Sequence, residues 1–368
     1  MVRHQIDKWL KETSYNEFHD AIASRVIGQP DLKIVTANVY NYLVNVSQNR
    51  PVNNNMLIAA PSGCGKTETY RALRDYFQNE IPEMPVYSFD TSLLTASGYR
   101  GMEPYEICAP FFRINMYDAV GICILDEFDK KLIPSFNSHG YDTNAETQAN
   151  MLTIVEGCEL NHRDGRVVNT SDIMFIGLGS FDNFRRAREC DNHIIGFNNN
   201  DSMNSEHYAP VDRNAMIESG GTYELIGRFP VIVNYEKLSS TYIRQIIDNT
   251  VKILKQDFDC DIIVTENMVQ YLLSVANGKF GCRIFNGVLR TAVLTAYAEA
   301  MQSQQQDRIL VITIDSVIDI KFLWREYSEE EKAEIEHYRS LMKRLQSMLD
   351  EKNDTEIKND KQDLLWED

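Results

Sequence analysis

Short apolar runs alternate with amphipathic stretches through the first two thirds of the chain. The apolar runs have the length of buried strands and lie at residues 56–59, 86–90, 121–125, 173–177 and 231–233. Strands of this kind are typical of a parallel sheet covered by helices on both faces. Residues spaced as on one helix face lie before the first run, at about 26–43, and between later runs, at about 68–79 and 146–156. The pattern predicts an α/β fold with a central parallel sheet.

The pattern becomes mainly helical after residue 236. It predicts helices at about 240–254, 266–276 and 283–301, with a short strand at 309–313. We therefore expect four segments: an N-terminal helical lead (1–24), a large α/β domain (25–236), a small mainly helical domain (237–323) and an acidic, helix-prone tail (324–368). The tail lacks the apolar spacing that builds a core, so we interpret it as a solvated appendage.

The segment that follows the first strand, residues 60–67, reads Ala-Pro-Ser-Gly-Cys-Gly-Lys-Thr and leads into a helix. This is the context of a P-loop, in which glycines let backbone N–H groups point at phosphate oxygens. The pattern's first glycine is Ala60 here, so the strand must enter the loop with a geometry that alanine tolerates. The residues predicted to bind ATP are Ser62, Gly63, Cys64, Gly65, Lys66 and Thr67. Lys66 would reach the phosphates, and the Thr67 hydroxyl would ligate Mg²⁺.

A second motif, consisting of two acidic residues, follows the third apolar run. Asp126 and Glu127 stand directly after this predicted strand, at the sheet edge where the P-loop is also expected. Paired carboxylates at this position are typical of a Walker B motif. Asp126 would hold Mg²⁺, and Glu127 would act as the catalytic residue that polarises the attacking water.

Composition narrows the class of protein. Hydrophobic residues make up 43% and charged residues 25% of the 368 positions, which is ordinary for a soluble globular protein. A net charge of −17 without a basic stripe disfavours nucleic acid as the main partner. No apolar run is long enough to cross a bilayer, and the first eleven residues do not form a signal peptide. The seven cysteines are scattered, so we expect thiols in a reducing, cytoplasmic compartment without a membrane partner.

Several motifs now stand in one order, and that order resembles the ClpX family of AAA+ unfoldases from about residue 26 to 322. Residues 26–29 (Val-Ile-Gly-Gln), 125–130 (Leu-Asp-Glu-Phe-Asp-Lys), 227–230 (Gly-Arg-Phe-Pro) and 281–283 (Gly-Cys-Arg) carry the resemblance. It implies an AAA+ P-loop NTPase fold. It also implies that Ile27 contacts adenine, that Arg228 is a catalytic arginine finger for the neighbouring subunit, and that Arg283 contacts nucleotide in its own subunit.

The resemblance also implies sites for two protein partners. Tyr99 and Arg100 lie where the family has its substrate-gripping pore loop, and Arg100 replaces a small apolar residue there. Ile195, Gly196 and Phe197 lie where the family has its docking tripeptide for a ClpP-type peptidase, within an otherwise polar loop. Two apolar side chains in such a loop suit an anchor in a partner's pocket.

The chain also departs from the family pattern. No paired cysteines precede the AAA+ segment, so we expect the family's N-terminal zinc-binding domain to be absent. The basic loop at the pore entrance is expected to be shortened to residues 161–166. The acidic tail is additional. Adaptor binding and recognition of the usual degradation tag are therefore open.

The sequence favours an ATPase that works as a homo-oligomer, a hexamer by resemblance, unfolds polypeptides and passes them to a ClpP-type peptidase. ATP and Mg²⁺ are the expected cofactors. A stand-alone remodelling chaperone without a protease is the first alternative, and a nucleotide-gated binding or scaffold module is the second. A DNA-acting motor is disfavoured by the charge.

Overall fold

The computed structural model describes residues 2–95, 102–114, 117–162, 164–182, 210–276, 281–303, 308–314 and 320–333. The chain divides into two compact units. The first comprises Met1–Ile246 and Ala276–Arg283, and the second comprises Ile247–Val275 and Ile284–Asp368.

The first unit alternates helices with strands. Its helices are α1 (Val2–Glu12), α2 (Tyr15–Ala23), α3 (Leu32–Ser47), α4 (Lys66–Glu80), α5 (Ala109–Arg113), α6 (Asp129–Leu132), α7 (Thr143–Glu156), α8 (Arg213–Glu218) and α9 (Tyr223–Gly227). Its strands are β1 (Met56–Ala59), β2 (Val86–Asp90), β3 (Gly121–Asp126), β4 (Glu159–Asn161), β5 (Val167–Asn169), β6 (Ile173–Gly179) and β7 (Val231–Asn234).

Five of these strands form one parallel sheet in the order β2-β3-β6-β1-β7. Ala59 at the end of β1 lies beside Gly179 of β6, and Asp126 at the end of β3 lies beside Asp90 of β2. The carboxyl ends of the strands therefore meet at one edge, where ligands bind in open α/β sheets. The central parallel sheet expected from the apolar runs is confirmed. Strands β4 and β5 form a separate antiparallel hairpin.

Successive side chains of a strand point to opposite sides of the sheet, and in this sheet both sides are buried. Met56 and Ile58 of β1 belong to one hydrophobic cluster, whereas Leu57 and Ala59 belong to the other. The first cluster is closed by α1–α4, including Trp9, whose ring centroid lies 5.6 Å from that of Phe18 and 5.8 Å from that of Phe77. The N-terminal helices thus share the core of the large unit.

The second unit mixes helices with a small sheet. Its elements continue as α10 (Ser240–Phe258), which begins in the first unit, β8 (Ile262–Val264), α11 (Glu266–Ala276), α12 (Arg283–Ser303), β9 (Arg308–Ile314) and β10 (Ile320–Glu326). Strand β9 pairs antiparallel with β10 and parallel with β8. The sequence predicted only the middle strand of these three, and the expected boundary at residue 323 falls inside β10. In the part of the chain that the structure describes, no helix combines the length and apolarity needed to cross a bilayer.

Candidate functional site

The P-loop connects β1 to α4 at the carboxyl edge of the sheet. Gly63 and Gly65 have φ values of +77° and +97°, in the left-handed region that glycine adopts without a steric penalty. Gly65 is also the N-cap of α4, so the positive end of a 15-residue helix faces the loop. Ala60 keeps a negative φ and its N–H donates to the Gly179 carbonyl at 3.1 Å, continuing the sheet ladder. Alanine therefore fits where the motif usually has glycine.

Lys66 lies at the first position of α4 with its ammonium turned into the loop. Its Nζ donates to the Ala60 carbonyl at 2.5 Å and to the Pro61 carbonyl at 3.3 Å. Burial lowers the pKa of Lys66, and the nearby Asp129 carboxylate partly opposes this shift. The site therefore holds a poorly solvated cation that a phosphate group would stabilise.

The Walker B pair ends strand β3. The backbone N–H of Glu127 donates to Asp126 Oδ1 at 2.9 Å, and burial raises the pKa of Asp126. Glu127 has a φ of +55°, an uncommon conformation for a residue with a side chain. Backbone strain of this kind clusters at functional sites, where the surrounding structure holds it in place. The Glu127 carboxylate pairs with Lys130 Nζ at 3.0 Å and is 44% exposed, so water can reach it.

Asp129 is a site residue to which the sequence assigned no role. It is only 6% exposed, and its Oδ2 accepts hydrogen bonds from the Phe181 N–H at 2.9 Å and the Ser180 hydroxyl at 3.2 Å. It thereby ties the residues after Walker B to the exit of β6. A Cβ added at Gly179 would lie 2.7 Å from Asp129 Oδ1, so glycine is required there. The only available signal was its position three residues after Asp126, which does not distinguish a buried carboxylate from a solvated one.

Gln29 is a second site residue that had no assigned role. Its side chain is 6% exposed and bonds two distant segments. The amide Nε2 donates to the Cys64 and Glu236 carbonyls, each at 3.0 Å, while Oε1 accepts from the Glu236 N–H at 3.0 Å. Gln29 therefore joins the segment that contains Ile27 to the P-loop and to the exit of β7.

Residues 281–283 return to the P-loop within the first unit. Arg283 Nη2 lies 3.5 Å from the Thr67 hydroxyl, a long hydrogen bond. Gly281 packs so closely that an added Cβ would lie 2.5 Å from the Ser62 carbonyl oxygen. The structure thus brings Arg283 to Lys66 and Thr67, and the Arg283 charge contributes to lowering the pKa of Lys66.

Arg228 lies at the C-cap of α9 and pairs with Glu156 at the end of α7. Both side chains are about half exposed, at 46% and 47%. The next residue, Phe229, is fully buried, and its ring centroid lies 5.1 Å from that of Phe128, the residue after Glu127. The exposed arginine is therefore supported by the same aromatic pair that lies behind Walker B.

The expected pore residues Tyr99 and Arg100 lie outside the described residues, as do Ile195, Gly196 and Phe197 of the expected docking tripeptide.

ATP and Mg²⁺ fit the residues that are present. The positive-φ glycines form a backbone cradle in front of Lys66. Among the described residues, the buried side-chain oxygens without a hydrogen-bond partner are Asp129 Oδ1 and Asp182 Oδ1, and both carboxylates raise the pKa of Lys66. In those same residues, no three His, Cys, Asp or Glu side chains converge as a complete metal cage. The Thr67 hydroxyl and the Asp126 carboxylate suit Mg²⁺, because this ion is usually held by few protein ligands together with phosphates and water.

Comparisons with known proteins agree with this geometry. Residues 52–232 match the family described as AAA domain (Cdc48 subfamily). An ATP-dependent Clp protease ATP-binding subunit ClpX from Porphyromonas gingivalis is 24% identical, over 80% of this chain and 82% of its own length. Its counterpart from Bacteroides fragilis is 25% identical, over 79% and 78%. The one from Azotobacter vinelandii is 27% identical, over 75% and 72%.

The AAA domain, the parallel sheet and the P-loop define an AAA+ ATPase. The similarity to ClpX proteins extends well beyond that domain, over about four fifths of the chain for the first two relatives. The chain is therefore an AAA+ ATPase that is similar to ClpX proteins. The expectations of an AAA+ fold and of ATPase activity are confirmed, whereas the roles of individual site residues stay predictions.

Proposed function

We propose that this chain is an ATP-driven protein unfoldase that assembles into a ring, a hexamer, and threads polypeptides through its pore to a ClpP-type peptidase. The observation that carries the proposal is the convergence of Lys66, Thr67, Asp126 and Arg283 at the carboxyl edge of the sheet. The ClpX relatives, named as ATP-binding subunits of an ATP-dependent protease, supply the protease partner.

Each residue of the site has a distinct role in the proposed reaction. Lys66 binds the transferring phosphoryl group, and its poorly solvated ammonium favours that added negative charge. Thr67 and Asp126 would hold Mg²⁺, which supplies charge neutralisation between the phosphates. Glu127 orients water, since its carboxylate is exposed and is placed by a left-handed backbone. Arg283 contacts nucleotide from residues that already lie against the P-loop.

Arg228 acts on a neighbouring subunit in this proposal. Its half-exposed guanidinium lies at the surface and pairs with the equally exposed Glu156 carboxylate. An exposed ion pair of this kind contributes little to stability, so the arginine can exchange it for another partner. An arginine supplied by a neighbour accelerates phosphoryl transfer by about a thousandfold or more in related enzymes. Specific ATPase activity should therefore rise with protein concentration as rings form.

The first experiment separates nucleotide binding from hydrolysis. Glu127→Gln should retain binding of a fluorescent ATP analogue but slow steady-state hydrolysis by about a hundredfold or more. Lys66→Ala should lose binding, because the phosphates lose their cation. Glu80→Gln, an exposed carboxylate at the other end of α4, is the matched control and should behave as the parent. Hydrolysis by Glu127→Gln at the parental rate would refute the assigned role.

The second experiment tests substrate class and partner. An unfolded protein such as carboxymethylated casein should accelerate ATP hydrolysis, and double-stranded DNA should not. Tyr99→Ala should keep basal hydrolysis and lose unfolding of a stably folded substrate. Deletion of residues 195–197 should abolish ATP-dependent co-sedimentation with a ClpP ring. Co-sedimentation that survives the deletion would contradict the docking proposal, and a chain that unfolds proteins without binding the ring is the stand-alone chaperone.

A further inference from the structure

The backbone that carries Arg228 is held by a second arginine. Arg213 lies at the first position of α8, and its Nη2 donates to the Phe229 carbonyl at 3.1 Å and to the Pro230 carbonyl at 2.6 Å. These are the two residues that directly follow Arg228 in the chain. The backbone on the carboxyl side of Arg228 is therefore fixed by a side chain from a preceding helix.

Arg213 is itself anchored to the central sheet. The Asn234 side chain at the end of β7 makes two hydrogen bonds with the Val211 backbone, accepting from its N–H at 2.8 Å and donating to its carbonyl at 3.0 Å. Asp212 then caps α8, because its side chain accepts a hydrogen bond from the Ala215 N–H at 2.9 Å. The first turn of α8, which presents Arg213, thus has a fixed position relative to the carboxyl edge of the sheet.

Phe229 is held from two directions. Its ring is fully buried against Phe128, and its carbonyl accepts the hydrogen bond from Arg213. Phe229 also precedes a proline, which favours extended backbone conformations for it. The Arg228 guanidinium, by contrast, is half exposed and pairs with the Glu156 carboxylate at the surface. The backbone beneath this guanidinium is therefore fixed, while the charged group itself can change partner.

We propose that Arg213 is a positioning residue for Arg228 and aims that side chain at the nucleotide of a neighbouring subunit. This role depends on the proposed action of Arg228 on its neighbour. An arginine side chain has several rotatable bonds, so it reaches a fixed point in another subunit only when its backbone is held in place. A guanidinium suits the task of holding, because its planar group offers several donors in a rigid arrangement. Arg213 acts through the backbone of the two residues after Arg228 and not on the nucleotide.

Two substitutions in the full chain test this role. Arg213→Met keeps an unbranched stem but removes both hydrogen bonds, whereas Arg213→Lys keeps a cation that can still donate to a carbonyl. Arg213→Met should lower kcat for ATP by roughly tenfold to a hundredfold and change KM by less than about twofold, since a misplaced catalytic group costs rate and not ground-state binding. Arg213→Lys should recover part of that loss. Arg50→Met, at an exposed position after α3, is the control and should behave as the parent.

A mixing experiment shows whether Arg213 acts across the subunit boundary. Glu127→Gln subunits should hydrolyse little ATP themselves but keep both arginines, whereas Arg213→Met subunits keep their own nucleotide site. In mixed rings, a Glu127→Gln subunit should supply a well-placed Arg228 to its Arg213→Met neighbour. Hydrolysis by an equal mixture should therefore exceed the mean of the two variants measured separately. A defect in the nucleotide site of the Arg213→Met subunit itself would not be rescued in this way.

Arg228→Ala mixed with Glu127→Gln is the reference mixture, because it removes the arginine directly. Rescue in this mixture but not with Arg213→Met would overturn the positioning role and leave the proposed function intact. Absence of rescue in both mixtures would refute the action of Arg228 on its neighbour, and with it the role of Arg213. A kcat of Arg213→Met equal to that of Arg50→Met would also overturn the positioning role. If methionine disturbs folding, Arg213→Lys takes its place in the mixture, with the same outcomes.

Discussion

Gln29 offers the sharpest test of how the nucleotide site is held together. Its amide is buried and makes three hydrogen bonds of 3.0 Å to backbone groups of Cys64 and Glu236. These groups belong to the P-loop and to the segment that follows β7. One side chain therefore fixes the distance between two elements that are far apart in sequence.

The size of the effect follows from these contacts. A buried hydrogen bond contributes about 1 kcal/mol net, and a buried polar group that loses its partner costs about 1–3 kcal/mol. Gln29→Ala removes all three bonds, so we expect a loss of roughly 3 kcal/mol in the free energy of unfolding. Gln29→Glu keeps the length but places a carboxylate against two carbonyl oxygens. It should be at least as damaging at neutral pH.

The assay combines urea unfolding with titration of a fluorescent ATP analogue. Gln29→Ala should lower both stability and nucleotide affinity, since the Cys64 carbonyl loses a donor that holds the loop. Gln48→Ala, at an exposed position after α3, is the control and should change unfolding by less than about 0.5 kcal/mol. The reasoning fails if Gln29→Ala is as stable as Gln48→Ala, or if its stability falls while nucleotide affinity is unchanged.

Two further predictions concern the residues behind Walker B. Burial raises the pKa of Asp129, so its stabilising contribution is full below its unfolded-state pKa and is lost as pH rises through its folded-state pKa. As pH rises from acid to neutral, the parent should therefore lose stability relative to Asp129→Asn. Urea unfolding at several pH values measures this difference in unfolding free energy, and a parent that gains stability relative to the variant would contradict the reasoning. Phe229→Ala removes a fully buried ring that packs on Phe128, and should cost about 3–5 kcal/mol in calorimetric or urea unfolding; a cost below about 1 kcal/mol would show that the pair contributes little.

The sequence predicted the sheet well because its strands are short apolar runs that need little tertiary information. The P-loop and Asp126 were predictable for a related reason, because their identity depends on the sequence of residues that directly follows a strand. Strand β10 was missed because its apolar run, residues 322–324, is short and flanked by Lys321 and Arg325, and because the strand merges into an acidic stretch with helical character. Strand β8 has only three residues, too few for a period to be recognised.

Polar residues inside the site could not be assigned from the sequence. Nothing local distinguishes Gln29 or Asp129 from an exposed glutamine or aspartate, because their partners lie 207 and 52 residues away in the chain. The same holds for the two units: a contiguous division cannot place Ala276–Arg283 with the first unit, yet those residues bring Arg283 to the P-loop. Tertiary structure alone supplies such pairings.

The aromatic pair Phe128 and Phe229 connects the two catalytic positions of the proposed mechanism. Glu127 immediately precedes one ring and Arg228 immediately precedes the other, and the centroids are 5.1 Å apart with both rings fully buried. Closely packed interiors transmit displacement because they have few voids to absorb it. A shift of Walker B on nucleotide binding would therefore move the support of Arg228, the residue that the proposed mechanism supplies to a neighbouring subunit. If rings form as proposed, adjacent ATP sites would be coupled over a short physical route within one core, from Glu127 through two rings to Arg228.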